Sequence, residues 1–313
     1  MTANKSPNEK LAVLDLGSNS LRMSIFDLSG PGTAPQTFRK TIRLSEGMTH
    51  DSTLKAEPQM RAVHALLEYK KILDSNGVSN IVAVATAAVR KAKNQTEFLD
   101  LVRDTTGIEI KVIDGTTEAA LDSLAISRTL GLGIGTICDI GGGSTELVGI
   151  GKTPPAMVSI PHGSRGICEM FFGLGETQGA VREARAFAKN LLATVDWLDG
   201  QKGAPLVGIG GTIRALAIFD LKENAPTPIG KYEFSPDRLK EIFDEVLSKD
   251  PSARALMPGI GQERADIILG GVILLEAVIN RLSPEKIVVC DAGVREGVFF
   301  DFVENLGILK ANE

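Results

Sequence analysis

The sequence predicts an α/β chain made of two related halves that face one another across a cleft, and two observations carry that expectation. First, the segment DLGSNSLRM beginning at Asp15 is echoed by DIGGGSTEL beginning at Asp139. Each copy follows an apolar run, residues 11–14 and 134–138, and continues into a second apolar alternation, which reads as strand, tight turn, strand. Repetition of one unit in matching context points to duplication. Second, the stretches after each copy alternate short apolar runs with longer segments of helical spacing, the pattern of an α/β layer.

Taken in order, residues 11–44 read as three strands, with GPGTAP at 30–35 as the turn between the second and third. Met60, Val63, Leu66, Leu67 and Ile72 fall at helical spacing, so 59–73 is a helix, closed by Gly77. Residues 81–85 form a buried strand, 96–102 a helix, 108–113 a strand, and 116–130 a long helix ending at Gly131. The second half repeats the opening at 134–150 and adds a strand at 157–160 and helices at 163–172 and 178–197. A strand at 205–209 stops at Gly210 and Gly211, where Thr212 opens a helix to 221. The proline-containing stretch 223–230 reads as a surface loop. The remainder is mainly helical until a last strand at 286–290 and a terminal helix from 294 to 306. Domain I is expected over residues 1–122, with the segment 294–313 packing back on it, and domain II over 123–293.

A length of 313 residues suits about two domains, each with its own core. The content of 43% hydrophobic and 23% charged residues is that of a soluble globular protein. A net charge of -5 argues against a nucleic-acid surface, which would show a basic stripe. The three cysteines, Cys138, Cys168 and Cys290, are scattered in apolar sequence, which suggests neither a disulfide framework nor a zinc site and points to reduced cytoplasm. The polar start, MTANKSPNEK, does not read as a signal peptide. The most apolar stretch, 267–279, is too short for a bilayer span and contains Glu276, so it reads as a buried helix, with no membrane expected.

The chemistry is carried by the two turns. Gly17 and Ser18 in the first, and Gly141, Gly142 and Gly143 in the second, allow close approach of the backbone to a ligand, with amides directed at anionic oxygens. Asp15 and Asp139 each end a first strand, where a carboxylate meets a divalent metal bridging phosphate oxygens. Glu146 lies on the return strand and pairs naturally with Asp139 for Mg²⁺, an ion that keeps its waters and takes one or two carboxylates. GIGGTIRALA from Gly208 offers a further anion pocket at a helix N-terminus, through Gly210, Gly211 and Thr212, although an ordinary strand-to-helix turn reads equally well. By sequence alone, Glu118 complements the dipole of a helix opening at Thr116 or Thr117. Arg90 presents a guanidinium to phosphate or to solvent, and Lys91 and Lys93 read as surface charges.

Together these motifs resemble the Ppx/GppA family of exopolyphosphatases and guanosine pentaphosphate phosphohydrolases. The likeness runs through DLGSNSLRM, ATAAVRKAKN, GTTEA around Glu118, DIGGGSTEL, GIGGTIRALA, ERADIILGG from Glu263 and VCDAGVREG from Val289. It implies the actin, Hsp70 and sugar-kinase fold, built from ribonuclease H-like halves. It also implies that Glu118 is the general base for the attacking water, and that Arg90 takes part in catalysis by holding phosphoryl groups. Asp139 and Glu146 match the metal carboxylates, and Ser18, Asn19, Ser20, Gly142, Gly143 and Ser144 match phosphoryl-binding positions, with Arg22 and Arg264 fitting the pattern. The implied cofactor is Mg²⁺ or another divalent cation, the substrate polyphosphate or guanosine pentaphosphate, and the assembly a homodimer. Two departures stand out. SIPHGSRGICE from Ser159 brings its arginine one position early, as Arg165, turned by about 100° on a helix, and puts His162 in place of an apolar residue. Longer members carry a further C-terminal helical domain with no counterpart in these 313 residues, so short phosphate chains or a nucleotide are the expected substrates.

Two other readings stay open at this point: a kinase-like phosphotransferase of the same fold, and a non-catalytic sensor of an alarmone or polyphosphate. Retention of Glu118, Asp139 and Glu146 argues for the hydrolase, since a pure binder needs no base.

Overall fold

A computed structural model describes residues 10–309, apart from 31–32, 49–50, 152–154 and 227–228. Parts of the 30–35 turn, of the 223–230 loop and of the two termini therefore lie outside the described residues. The chain divides into two compact units, Met1–Leu121 with Val294–Glu313, and Asp122–Gly293.

The first unit opens with β1 (Lys10–Leu16), β2 (Ser20–Asp27) and β3 (Gln36–Thr41), an antiparallel meander. Helix α1 (Ala56–Ser75) leads to β4 (Asn80–Ala85), which pairs parallel with β1. A short α2 (Ala87–Arg90) and α3 (Gln95–Thr106) precede β5 (Lys111–Val112), and α4 (Gly115–Leu130) carries the chain onward into the second unit. Strand β1 is buried on both faces, and its period of two divides its side chains between separate cores. Ala12, Leu14 and Leu16 face the cluster with Leu66, Phe98 and Val102, from α1 and α3. Leu11 and Val13 face Leu121 and the last helix, whose Phe299 stacks on Phe26 with ring centres 4.4 Å apart.

The second unit repeats the meander with β6 (Gly135–Ile140), β7 (Thr145–Ile150) and β8 (Ala156–Ile160), then α5 (Ser164–Phe172) and α6 (Gln178–Ala193). Next come β9 (Leu206–Ile209), α7 (Gly211–Leu221), β10 (Tyr232–Phe234), α8 (Pro236–Ser248), α9 (Pro251–Ala255), α10 (Gly261–Arg264), α11 (Ile268–Leu282) and β11 (Ile287–Val289). The terminal α12 (Val294–Glu304) belongs to the first unit. The sheets run β3-β2-β1-β4-β5 and β10-β11-β9-β6-β7-β8. Counted from the meander, both sheets run in the same order, as the duplication implies, and it is the ribonuclease H-like order that the resemblance implies, with β10 added at one edge. The 267–279 stretch is the buried helix expected: every residue of α11 from Ile268 to Leu275 is buried. Among the described residues no helix is long and apolar enough to cross a membrane.

Several boundaries differ from expectation. The strand expected at 108–113 pairs only through Lys111 and Val112, because Ile108 is apolar for core packing rather than for the ladder. The helix expected to reach residue 197 ends at Ala193, where Thr194 Oγ1 donates to the Leu191 carbonyl (2.8 Å) and a 3₁₀ turn follows. Between 221 and 286 the chain is mainly helical as expected, and the strand not anticipated there is β10, which pairs antiparallel with β11.

Candidate active site

In the first unit, Gly17 N–H donates to Ser20 O (3.1 Å) and closes the turn between β1 and β2. The carbonyls inside it point into the protein: Ser18 O accepts from Ser45 N–H (3.0 Å), and Asn19 O from the N–H groups of Ile42 (3.0 Å) and Arg43 (2.9 Å). A trans peptide sets its N–H opposite its C=O, so the amides of Asn19 and Ser20 face the other way. The second unit repeats the closing bond and also turns two carbonyls inward, one position earlier in the turn. Gly141 N–H donates to Ser144 O (3.0 Å), Gly141 O accepts from Ser164 N–H (2.9 Å), and Gly142 O from Arg165 N–H (3.0 Å). The outward amides are then those of Gly142 and Gly143. Both turns therefore carry the backbone geometry of an anion cradle.

The support beneath the second turn is the start of α5. Gly163, its N-cap, lies so close that a Cβ there would stand 2.5–2.6 Å from Gly141 O, Gly142 C and Gly143 N. Ser164 adds its hydroxyl to Gly141 O (3.1 Å). The shifted Arg165 is buried, with Nη1 3.7 Å from Asp266 Oδ2. His162 stands edge-on to Phe187, ring centres 5.0 Å apart, and its carbonyl accepts from Thr145 Oγ1 (2.8 Å).

The same register also aligns charge across each meander. In the first unit, Asp15 lies opposite Arg22, and Arg22 opposite Arg39. In the second, Asp139 lies opposite Glu146, and Glu146 opposite Ser159. One frame thus holds an acid and two arginines, and the other holds two acids and a serine. Arg39 Nε donates to Ser20 Oγ (3.3 Å), so this arginine reaches the turn itself. Burial pushes the Asp15 carboxyl up, while Arg22 and Arg295 pull it down. Glu146 is buried and accepts from Ser159 Oγ at 2.7 Å.

Facing carboxylates on adjacent strands repel, and burial raises that cost, so the Asp139–Glu146 pair suits a divalent cation with hard oxygen ligands. No cluster of three or more His, Cys, Asp or Glu gathers at one point among the described residues.

Gly210, with φ +85°, is the N-cap of α7, and a Cβ on it would overlap Asp139 Oδ1. The start of α7 is therefore brought directly against the carboxylate. The guanidinium of Arg264 packs over Gly211, which adds fixed positive charge at the same helix N-terminus. Thr212 is different: its side chain is buried against Gly271 of α11, so only its backbone belongs to the helix end.

Glu118 sits in the first turn of α4, 7% exposed. Asp114, rather than Thr116 or Thr117, caps that helix, accepting from Thr117 N–H at 2.7 Å. Arg90 Nη1 reaches both the Ile113 carbonyl (2.8 Å) and Glu118 Oε2 (3.0 Å). The arginine thereby fixes the orientation of the carboxylate. Sequence reasoning missed Arg39, Ser159 and the Gly163–Ser164 support. For Arg39 the only available signal was its even spacing within β3; for Gly163 it was a glycine immediately before a helical pattern. The three cysteines are buried and unbridged, and burial pushes the Cys168 thiol up to about 12.

The sequence profile of the Ppx/GppA phosphatase family matches residues 36–306. Exopolyphosphatase 1 of Mycobacterium leprae is 31% identical over 299 residues, covering 92% of this chain and 88% of that protein. The Mycobacterium tuberculosis protein of the same name is 28% identical over 309 residues, covering 92% and 87%. Among solved structures, the Aquifex aeolicus member of the Ppx/GppA family superposes with a TM-score of 0.78 at 27% identity, over 95% of this chain and 98% of that one. An exopolyphosphatase from Cytophaga hutchinsonii shares the fold, with a TM-score of 0.88 at 22% identity over 95% and 98%.

Proposed function

This chain belongs to the Ppx/GppA phosphatase family, and on that premise we propose that it hydrolyses the terminal phosphoanhydride of inorganic polyphosphate, with a divalent cation such as Mg²⁺. The observation that carries the reading is the pair of charge rows on one duplicated frame: Asp15–Arg22–Arg39, suited to phosphate, and Asp139–Glu146–Ser159, suited to a cation.

In this account Glu118 takes a proton from water, whose oxygen forms a bond to the terminal phosphorus. The anhydride P–O bond breaks, and its electron pair leaves with the shortened chain. Arg90 holds Glu118 in place and offers a donor to the phosphoryl oxygens. Asp139 and Glu146 would hold the cation, which supplies charge neutralisation for the phosphate oxygens. The amides following Ser18, Asn19, Gly141 and Gly142 bind phosphate, helped by Arg22 and the start of α7 beneath Arg264. Asp15 lies opposite Arg22 in the register and serves chiefly to orient that arginine. Cytoplasmic location and a homodimeric assembly belong to the same reading.

Phosphate release from short and long polyphosphate, guanosine pentaphosphate and ATP, each with Mg²⁺, tests it. Polyphosphate at the head of the ranking supports the proposal. Preference for guanosine pentaphosphate would reassign the substrate, and tight binding without release would replace the hydrolase with a sensor.

A further inference from the structure

The second unit contains a cavity of about 870 Å³ formed by α6, α8 and the C-terminal half of α11. It is separate from the phosphate-binding turns. Gly270 and Gly271, at the start of α11, pack against Ser164 and Thr212, whereas the polar residues that α11 gives the cavity, Glu276, Asn280 and Arg281, lie about 8–16 Å further along the helix at 1.5 Å per residue.

Its charge runs against that of the chain. The protein has 34 Lys and Arg against 39 Asp and Glu, yet the cavity is lined by Arg185, Lys189, Lys202, Lys240 and Arg281 against Asp244 and Glu276 alone. Three of these cations are engaged. Arg185 forks onto Glu276 (2.7 and 2.9 Å), and Arg281 and Lys202 share Asp199 (2.8 Å each). Lys189 and Lys240, on α6 and α8, have no ion-pair partner among the described residues. The accessible apolar lining is Ala186, Ala193 and the half-buried Ala277, over the buried side chains of Leu192 and Ile273.

The volume falls within the range of small-molecule sites, which combine an apolar lining with a few placed polar groups. Two uncommitted ammonium groups call for more than one negative charge, and a bare phosphate chain would leave the apolar lining unused. We propose that this cavity binds an organic di- or triphosphate, its apolar body on Ala186, Ala193 and Ala277 and its phosphates between Lys189 and Lys240. The proposal stands independently of the hydrolase reading, since none of these residues belongs to the candidate active site.

The test is titration calorimetry without divalent metal, using adenosine 5′-(β,γ-imido)triphosphate and farnesyl diphosphate as probes and pyrophosphate as the control without an organic body. At least one organic probe is expected to bind stoichiometrically, and to bind as well to Arg22→Gln, a change in the candidate active site. Lys189→Glu/Lys240→Glu should weaken that binding roughly a hundredfold or more, as loss of two charge-assisted contacts implies. Both lysines are exposed, so unchanged thermal melting is expected, and Lys189→Gln/Lys240→Gln substitutes if the reversal perturbs folding. Which probe wins tells a nucleoside body from an isoprenoid one. The proposal fails if neither organic probe binds, if binding survives the lysine changes, if Arg22→Gln abolishes it, or if pyrophosphate binds as tightly.

Discussion

Replacing Gly163 by alanine tests how the second glycine turn is held. At φ -125° and ψ -174° an alanine is unstrained, so the whole effect comes from its methyl group. That methyl would stand 2.5–2.6 Å from three backbone atoms of the turn, where ordinary contact begins at 3.4 Å, an overlap of 0.8–0.9 Å. Because these atoms are backbone, no rotamer change relieves the clash, and the turn or the start of α5 must move. Overpacking of this kind costs about 1–3 kcal/mol, and a shift approaching 1 Å in a substrate-positioning loop reduces turnover on the order of 10²-fold. Gly166, one turn later in the same helix with nothing within 4 Å of its Cβ position, is the control. Gly166→Ala should stabilise by up to about 1 kcal/mol and leave turnover alone. Urea unfolding with phosphate-release kinetics on both variants decides the matter. Gly163→Ala with the stability and rate of Gly166→Ala would refute the packing argument.

Other expectations rest on the same geometry. Glu146→Gln removes the repulsion with Asp139, so the metal-free protein should melt higher while the rise in Tm on adding Mg²⁺ disappears; a retained Mg²⁺ shift would contradict the cation role. Arg254 is fully buried, donates to the carbonyls of Lys249 (3.0 Å) and Ala265 (3.2 Å) and pairs with Glu176. Arg254→Met should therefore cost about 3–5 kcal/mol in denaturant unfolding, by stranding these partners. The hydrogen bond from Thr117 N–H holds the Asp114 carboxyl below its usual value of 3.8. A group whose pKa falls on folding stabilises above its unfolded pKa, and that contribution is lost as pH drops through the folded value. Asp114→Asn, still a competent cap, should flatten the stability profile below pH 4 and lower stability at neutrality, where the ionised Asp114 contributes, while matching wild type at acid pH.

The turns and the duplication were legible in the sequence because Asp, Gly and Ser are locally demanding residues whose spacing survives without tertiary information. What escaped depends on pairing between distant segments. The alignment of Arg39 with Arg22 exists only once β2 and β3 are in register. The short β10 is fixed by β11, more than fifty residues later, so no local pattern announces it. Val195 and Leu198 are buried like helix residues, which is why α6 looked longer than it is. Glu118 read as an ordinary first-turn acid until family resemblance gave it a role, and its contact with Arg90 spans 28 positions, beyond the reach of local spacing.

Single-turnover phosphate release from polyphosphate by wild type and Glu118→Gln, with substrate binding measured in parallel, tests the central claim most directly. Binding is expected to persist while the rate falls on the order of 10²–10⁴-fold. A Glu118→Gln enzyme that releases phosphate at the wild-type rate would contradict the assignment of Glu118 as the base.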